Sequence, residues 1–134
     1  MAGSFRDRPS SDVDSMYEKK IKEAVKKEAM KQDADKLPWD LLPIKATEGM
    51  LAVLAFGAKK YAPHNWRKGF NHTRLIAAAF RHLAAIARGE DLDPESGLPH
   101  VDHLACCVAF LSEHQKDNLG TDDRYKSEKK AFSK

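Results

Sequence analysis

The chain has 134 residues, with 23 Lys and Arg against 20 Asp and Glu, for a formal net charge of +3. That length fits one domain, and so even a charge balance argues against a nucleic-acid binder driven by electrostatics. No apolar run reaches the ~18 residues of a membrane span, the polar start has no signal-peptide core, and the two cysteines are adjacent; a cytoplasmic protein without membrane association or a disulfide framework is expected.

Residues 1–11 are polar and are expected to be disordered. A first helix is predicted from about Asp12 to Lys31, with Val13, Tyr17, Ile21, Ala24, Val25 and Glu28 on one face and lysines on the other. Ser11 or Asp12 can cap it. Asp33 to Pro43 reads as an extended linker that tucks Trp39 onto the core. A second helix is predicted from Pro43 or Ile44 to Lys60, since proline suits a first helical position. Tyr61 to Gly69 is a loop by its Pro, Asn and Gly. A third helix runs from about His72 to Arg88, with Gly89 as its stop. An acidic loop follows from Glu90 to Pro99, then a fourth helix from about His100 to Lys116. Residues 119–134 form a polar tail with Leu119, Tyr125 and Phe132 to dock. There is no period-two alternation and no repeat. The fold class is all-α, a four-helix arrangement in a single domain over residues 12–118.

On the fourth helix only Asp102, Cys106, Ala109 and Glu113 form a line that can face water. Cys106 and Cys107 read as small buried hydrophobes. Helices three and four are more apolar than a small bundle can hide, so a homo-oligomer is expected.

The chemistry concentrates in Asp91 to His103. Three carboxylates, Asp91, Asp93 and Glu95, precede two histidines, His100 and His103, around a Pro/Gly turn. Carboxylates and imidazoles at the mouth of a helix pair are what a divalent-metal site needs; the alternative is an acidic surface loop with incidental histidines. His100 and His103 share a helix face with Cys107 and His114, and Asp102 points the other way. Glu48 shares a stripe with Ile44, Leu51, Ala52 and Ala55, so it is either buried with a compensating cation or solvated at a rim. His82 lies on the stripe of Leu75, Ala79 and Ile86, as a ligand or as a core histidine. In the 61–69 loop and just before it, Lys59, Lys60, Arg67 and Lys68 can pair with phosphates. Trp66 can stack a base or anchor the loop, and Asn65 offers a donor and an acceptor to a base edge.

Five blocks in order carry a resemblance: Pro38-Trp39-Asp40-Leu41-Leu42-Pro43, then Phe56-Gly57-Ala58-Lys59-Lys60-Tyr61, then Asn65-Trp66, then Arg81-His82-Leu83, then Gly89 through His100 with His103. The chain resembles the phage-borne dATP/dGTP diphosphohydrolases. These are MazG-like members of the all-α nucleoside triphosphate pyrophosphohydrolase superfamily, which also contains the HisE enzymes. The resemblance covers about Asp33 to Asp123. It implies a helical, oligomeric (dimeric or tetrameric), Mg2+- or Mn2+-dependent enzyme that converts a purine deoxynucleoside triphosphate to the monophosphate, in the host cytoplasm if phage-encoded. The superfamily has carboxylates where this chain has His100-Val101-Asp102-His103, and Glu48 has no second glutamate one turn away. Imidazole shifts preference toward Mn2+ or Co2+.

Combined, these readings place metal ions on Glu48, Glu95 and the His100/His103 face, with Asp93 and His82 as further candidates. A carboxylate, Glu48 or Glu95, or His82 orients the water. Lys59, Lys60 and Arg67 balance the triphosphate, and Trp66 and Asn65 contact the nucleoside. Two alternatives stand beside this. A His-Asp type phosphohydrolase needs an adjacent His-Asp pair, and Asp102-His103 is the reverse order. A non-enzymatic helical module would bind a partner or nucleic acid through the basic N-terminal helix.

Overall fold

A computed structural model describes residues 11–26 and 28–127 of the chain. The segment 1–10 and the residues from 128 on, Phe132 among them, lie outside the described residues, and so do the expectations placed on them. Among the described residues there are four α-helices: α1 (Ser11–Lys26), α2 (Ile44–Lys60), α3 (His72–Ala87) and α4 (His100–Asp117). There is no strand among the described residues, only two isolated bridges, Asn71 with Thr121 and Leu92 with Pro99. Among the described residues no helix is long and apolar enough to cross a membrane.

Contacts divide the chain into two units between Trp39 and Asp40, where the sequence predicted one domain from residue 12. The first unit carries α1. That helix ends earlier than Lys31, and Glu28 to Asp33 has no regular structure. Val13, Tyr17 and Ile21, the described part of its apolar face, are exposed. A turn closed by Lys36 N–H on the Asp33 carbonyl (3.0 Å) breaks the chain after it. Trp39 is 75% exposed, so the linker does not bury it as predicted.

The second unit holds the other three helices close to their predicted bounds, because each end carries its own punctuation. Pro43 precedes α2 and its carbonyl accepts the Thr47 N–H at 3.0 Å and the Thr47 hydroxyl at 2.9 Å. Lys59 and Lys60 sit in the last turn, where cations oppose the helix dipole. α3 is closed by Gly89 at φ +88°, a conformation that suits glycine, with Glu90 N–H on the Ala85 carbonyl at 2.9 Å. α4 ends at Asn118 in the left-handed region.

α4 is the shared element, packed on α3 and on α2. The buried apolar residues Val53, Leu75, Ala85 and Cys106 come from all three helices. Gly49 sets the approach to α2, because a Cβ there would lie 2.5 Å from the Asp102 carboxylate. The line from Asp102 to Cys106 therefore faces α2, not water as predicted. Cys106 is buried and its thiol donates to the Met50 carbonyl at 3.4 Å, while Val101 and Val108 are the exposed apolar residues of α4.

The segment after α4 is docked by polar contacts, where apolar ones were expected. His72 N–H donates to the Thr121 carbonyl (2.9 Å), and Asp123 accepts the Thr73 N–H (2.9 Å) and hydroxyl (2.6 Å). Tyr125 is exposed.

Candidate active site

A cleft of about 600 Å³ opens between α2, α4 and the loops that follow α2 and α3. Its walls bring together Lys60, Asn65, Trp66 and Arg67 with His82, Asp93, Glu95 and His103. These residues come from four separate stretches of sequence, and most were predicted to share a site.

The acidic loop positions its carboxylates by folding back on itself. Asp93 N–H donates to the Leu98 carbonyl (2.8 Å), Gly97 N–H to the Asp93 carbonyl (2.7 Å) and His100 N–H to the Asp91 carbonyl (2.8 Å). The Asp93 side chain closes the turn, its Oδ1 accepting N–H groups of Glu95 at 2.8 Å and Ser96 at 3.2 Å. Burial pushes the Asp93 carboxyl up, but those two backbone donors and the nearby His103 and His82 outweigh it and hold it below the ordinary carboxylate value.

The other Asp93 oxygen points to two imidazoles. His82 on α3 and His100 at the start of α4 bring their Nδ1 atoms within 2.9 Å of each other. Asp93 Oδ2 lies 4.0 Å from the first and 3.9 Å from the second. Together they form a group of three potential metal ligands, partly or fully buried. Only one proton can lie between two facing ring nitrogens. Burial, then the imidazoles of His103 and His100, push the His82 ring below its ordinary pKa, which favours the neutral form that ligates metals. The buried Nε2 of His100 has no hydrogen bond, and the Glu90 carboxylate stands 3.3 Å from it. Two Nδ1 atoms converging beside Asp93, one on a ring whose Nε2 has a carboxylate behind it, make a donor set that fits a divalent cation.

The remaining predicted ligands are placed differently. His103 stacks on His82 with ring centroids 4.8 Å apart, but its Nε2 is 2.6 Å from the Ser96 hydroxyl. That hydroxyl also accepts the Leu98 N–H at 3.1 Å, so Ser96 ties the loop backbone to His103. Glu95 is ion-paired with Lys60 across the cleft, and this pairing raises the Lys60 pKa. Glu48 is exposed and does not line the cleft, as is Lys59. The buried-carboxylate reading of Glu48 is thus corrected. α2 turns its Gly49–Val53 edge to α4, and the stripe of Ile44, Glu48 and Leu51 faces outward.

The far end of the cleft is built around Trp66, in a 3-10 turn over Asn65–Lys68. Its ring stacks on Phe110 of α4, centroids 5.0 Å apart and 17° from parallel. The Arg67 guanidinium lies over the same ring at 4.2 Å. Phe110 and Arg67 thus both pack on the indole, which is the anchoring arrangement that the sequence left open beside base stacking. Arg67 Nε–H in turn donates to His64 Nδ1 at 3.0 Å. The loop is pinned to α4 by His114, which is fully buried. Its Nδ1 donates to the Phe110 carbonyl (2.7 Å) and its Nε2 accepts the Phe70 N–H (3.0 Å).

Sequence reasoning missed roles for Glu90, Ser96, His64 and Phe110. Glu90 and Ser96 lie inside the acidic block, so their proximity to the histidines was the available signal. Nothing in the spacing pointed to His64 or Phe110.

Residues 26–124 match the model of a family described as dATP/dGTP diphosphohydrolase, N-terminal. Over 87 residues the chain is 35% identical to a dATP/dGTP diphosphohydrolase of Salmonella phage PMBT28, a match covering 65% of this chain and 30% of that relative. The match thus spans less than a third of the relative's length. No solved structure matches. The family match contains the whole cleft and the His82–Asp93–His100 group, and on it the chain belongs to the dATP/dGTP diphosphohydrolase N-terminal family.

Proposed function

We propose that this chain is a divalent-cation-dependent hydrolase that converts a purine deoxynucleoside triphosphate, dGTP or dATP, to the monophosphate. The observation that carries it is the convergence of His82 Nδ1, His100 Nδ1 and Asp93 Oδ2 beside a cleft whose opposite end holds Asn65 and Arg67. The name of the phage relative supports the substrate class.

In this reading His82, His100 and Asp93 hold the cation, and Glu90 orients the His100 ring. Mg2+ or Mn2+, when bound, supplies Lewis acidity toward the phosphate chain. Lys60 meets the phosphates. Glu95, released from Lys60 at that moment, is the carboxylate that accepts a proton from the attacking water. His103, held by Ser96 and stacked on His82, keeps that ring in place. Arg67 and Asn65 contact the nucleoside, and Trp66 supports Arg67 from behind.

The fold is read as the MazG-like helical core and the assembly as a homo-oligomer. The support is that Ile44, Leu51, Phe80, Leu83, Val101 and Val108 are all at least half exposed, around a small core.

The test is a panel of the four deoxynucleoside triphosphates with Mn2+ or Mg2+, with products separated by chromatography. Formation of dGMP or dAMP, stopped by EDTA, is expected. Unchanged turnover in the chelator would remove the cation from the reaction.

A further inference from the structure

We infer that Arg67 reads the purine base and selects guanine over adenine, by offering its guanidinium fork to O6 and N7 of the base. The inference rests on the nucleotide-hydrolase reading above.

The guanidinium is held from two directions. The indole of Trp66, itself backed by Phe110, lies under its plane at 4.2 Å. Nε–H is spent on His64 Nδ1 at 3.0 Å. The two terminal nitrogens make no hydrogen bond or ion pair among the described residues, and Arg67 lines the cleft. A flexible surface arginine has lost its freedom here, and what remains is a planar pair of donors without a partner among the described residues.

His64 shows that this arrangement is imposed. It sits at φ 63°, in the left-handed region that a residue with a Cβ rarely adopts. Glycine would relieve that backbone, but it would remove the imidazole that fixes the fork.

The position along the cleft separates Arg67 from the phosphate end. Phe110, which backs the stack, lies seven residues beyond His103 on α4, about 10 Å by helix rise. Lys60 is held by Glu95, which belongs to the same acidic loop as Asp93. A fork of donors at the far end meets the base. Guanine presents two adjacent acceptors, O6 and N7. Adenine puts an amino donor in place of O6, and pyrimidines have no N7. A guanidinium has no acceptor, so it can make two bonds to the O6/N7 pair of guanine and one to N7 of adenine, and pyrimidines lack that pair.

The same fork also fits phosphate, so the experiment must separate the two. The full chain is assayed with Mn2+ on dGTP, dITP, dATP and 7-deaza-dGTP, and inorganic tripolyphosphate is titrated as an inhibitor. dGTP and dITP are expected to share one kcat/KM, about tenfold or more above dATP and 7-deaza-dGTP. Arg67→Gln should bring dGTP down to the level of dATP, with the tripolyphosphate inhibition constant unmoved. His64→Gly should lower the dGTP to dATP ratio without lowering the melting temperature, a split that a purely structural role would not produce. Equal use of dGTP and 7-deaza-dGTP by the parent would overturn the inference. So would an Arg67→Gln variant that loses dGTP, dATP and tripolyphosphate alike, since Arg67 would then be a phosphate ligand. If the parent turns over none of these, the hydrolase reading fails, and equilibrium binding of the same four nucleotides still reads the ratio that decides the role of Arg67.

Discussion

Gly120 lies with its backbone against the carbonyl oxygen of Phe70, so close that a Cβ on Gly120 would overlap that oxygen. Thr121 N–H bonds the same carbonyl at 3.3 Å, and Gly120 holds φ +62°. This contact fastens the chain after α4 to the loop that carries Arg67.

Gly120→Ala should therefore cost more than an alanine at another left-handed glycine. Gly89 has φ +88° with nothing near its missing Cβ, and Gly89→Ala should cost about 1 kcal/mol. Gly120→Ala adds the overlap and should cost on the order of 3 kcal/mol. Urea midpoints of the two variants make the comparison, and equal losses would mean that residues 119–123 move aside freely.

Cation binding should follow the cluster. By titration calorimetry, His100→Ala and Asp93→Asn should weaken Mn2+ by tenfold or more. Glu48→Gln, the decisive substitution on a reading of the sequence alone, should leave Mn2+ affinity unchanged, because Glu48 is exposed and outside the group. A loss in Glu48→Gln equal to that in His100→Ala would move the centre to α2.

Glu95→Gln should divide binding from chemistry. The variant keeps Mn2+ affinity, since Glu95 pairs with Lys60 and not with the histidines. Its kcat should fall by about a hundredfold or more if the carboxylate accepts the water's proton. Parent-level kcat in this variant would reduce Glu95 to a partner of Lys60.

The helices of the second unit were legible because Pro43 and Gly89 mark boundaries that local chemistry dictates. The face of α2 was not. Ile44, Leu51 and Ala55 form one apolar stripe and Met50, Val53 and Phe56 another, and periodicity alone cannot say which turns inward. The choice is made by Gly49, where α4 can approach. In the site, the acidic loop and its histidines were legible as a block. The partnership of His82 with His100 was not, since it joins residues 18 apart on two helices. Trp66 stood open between base platform and loop anchor for a related reason: its contact with Phe110 joins a loop to a distant helix, which spacing cannot pair.

The adjacent thiols should be inert. Burial pushes Cys106 up to about 12 and raises Cys107 as well. Neither should react with iodoacetamide at pH 8 in the native protein, and both should in denaturant. Unfolding frees the Cys106 thiol to ionise near its ordinary 9.0, so its contribution to stability is complete below that pH and is lost as pH rises toward about 12. Cys106→Ala should flatten the alkaline limb of the stability curve. Rapid native alkylation would show that the α2–α4 contact opens readily.

Melting temperature should rise with protein concentration. Phe80, Leu83, Val101 and Val108 are exposed among the described residues, and association that protects them stabilises by mass action. Light scattering should give a dimer or tetramer at micromolar concentration. A monomer with a concentration-independent melting temperature would remove the oligomer.

α4 also acts as a ruler. His103 and Phe110 line the cleft from the same rigid helix, so the spacing between them is set by helix rise and not by loops. A ligand that reaches both must have the matching length. On the proposed function, a triphosphate would span that distance and the monophosphate formed from it, once shortened, would lose its hold on one end. Release would then be built into the same spacing that selects the substrate.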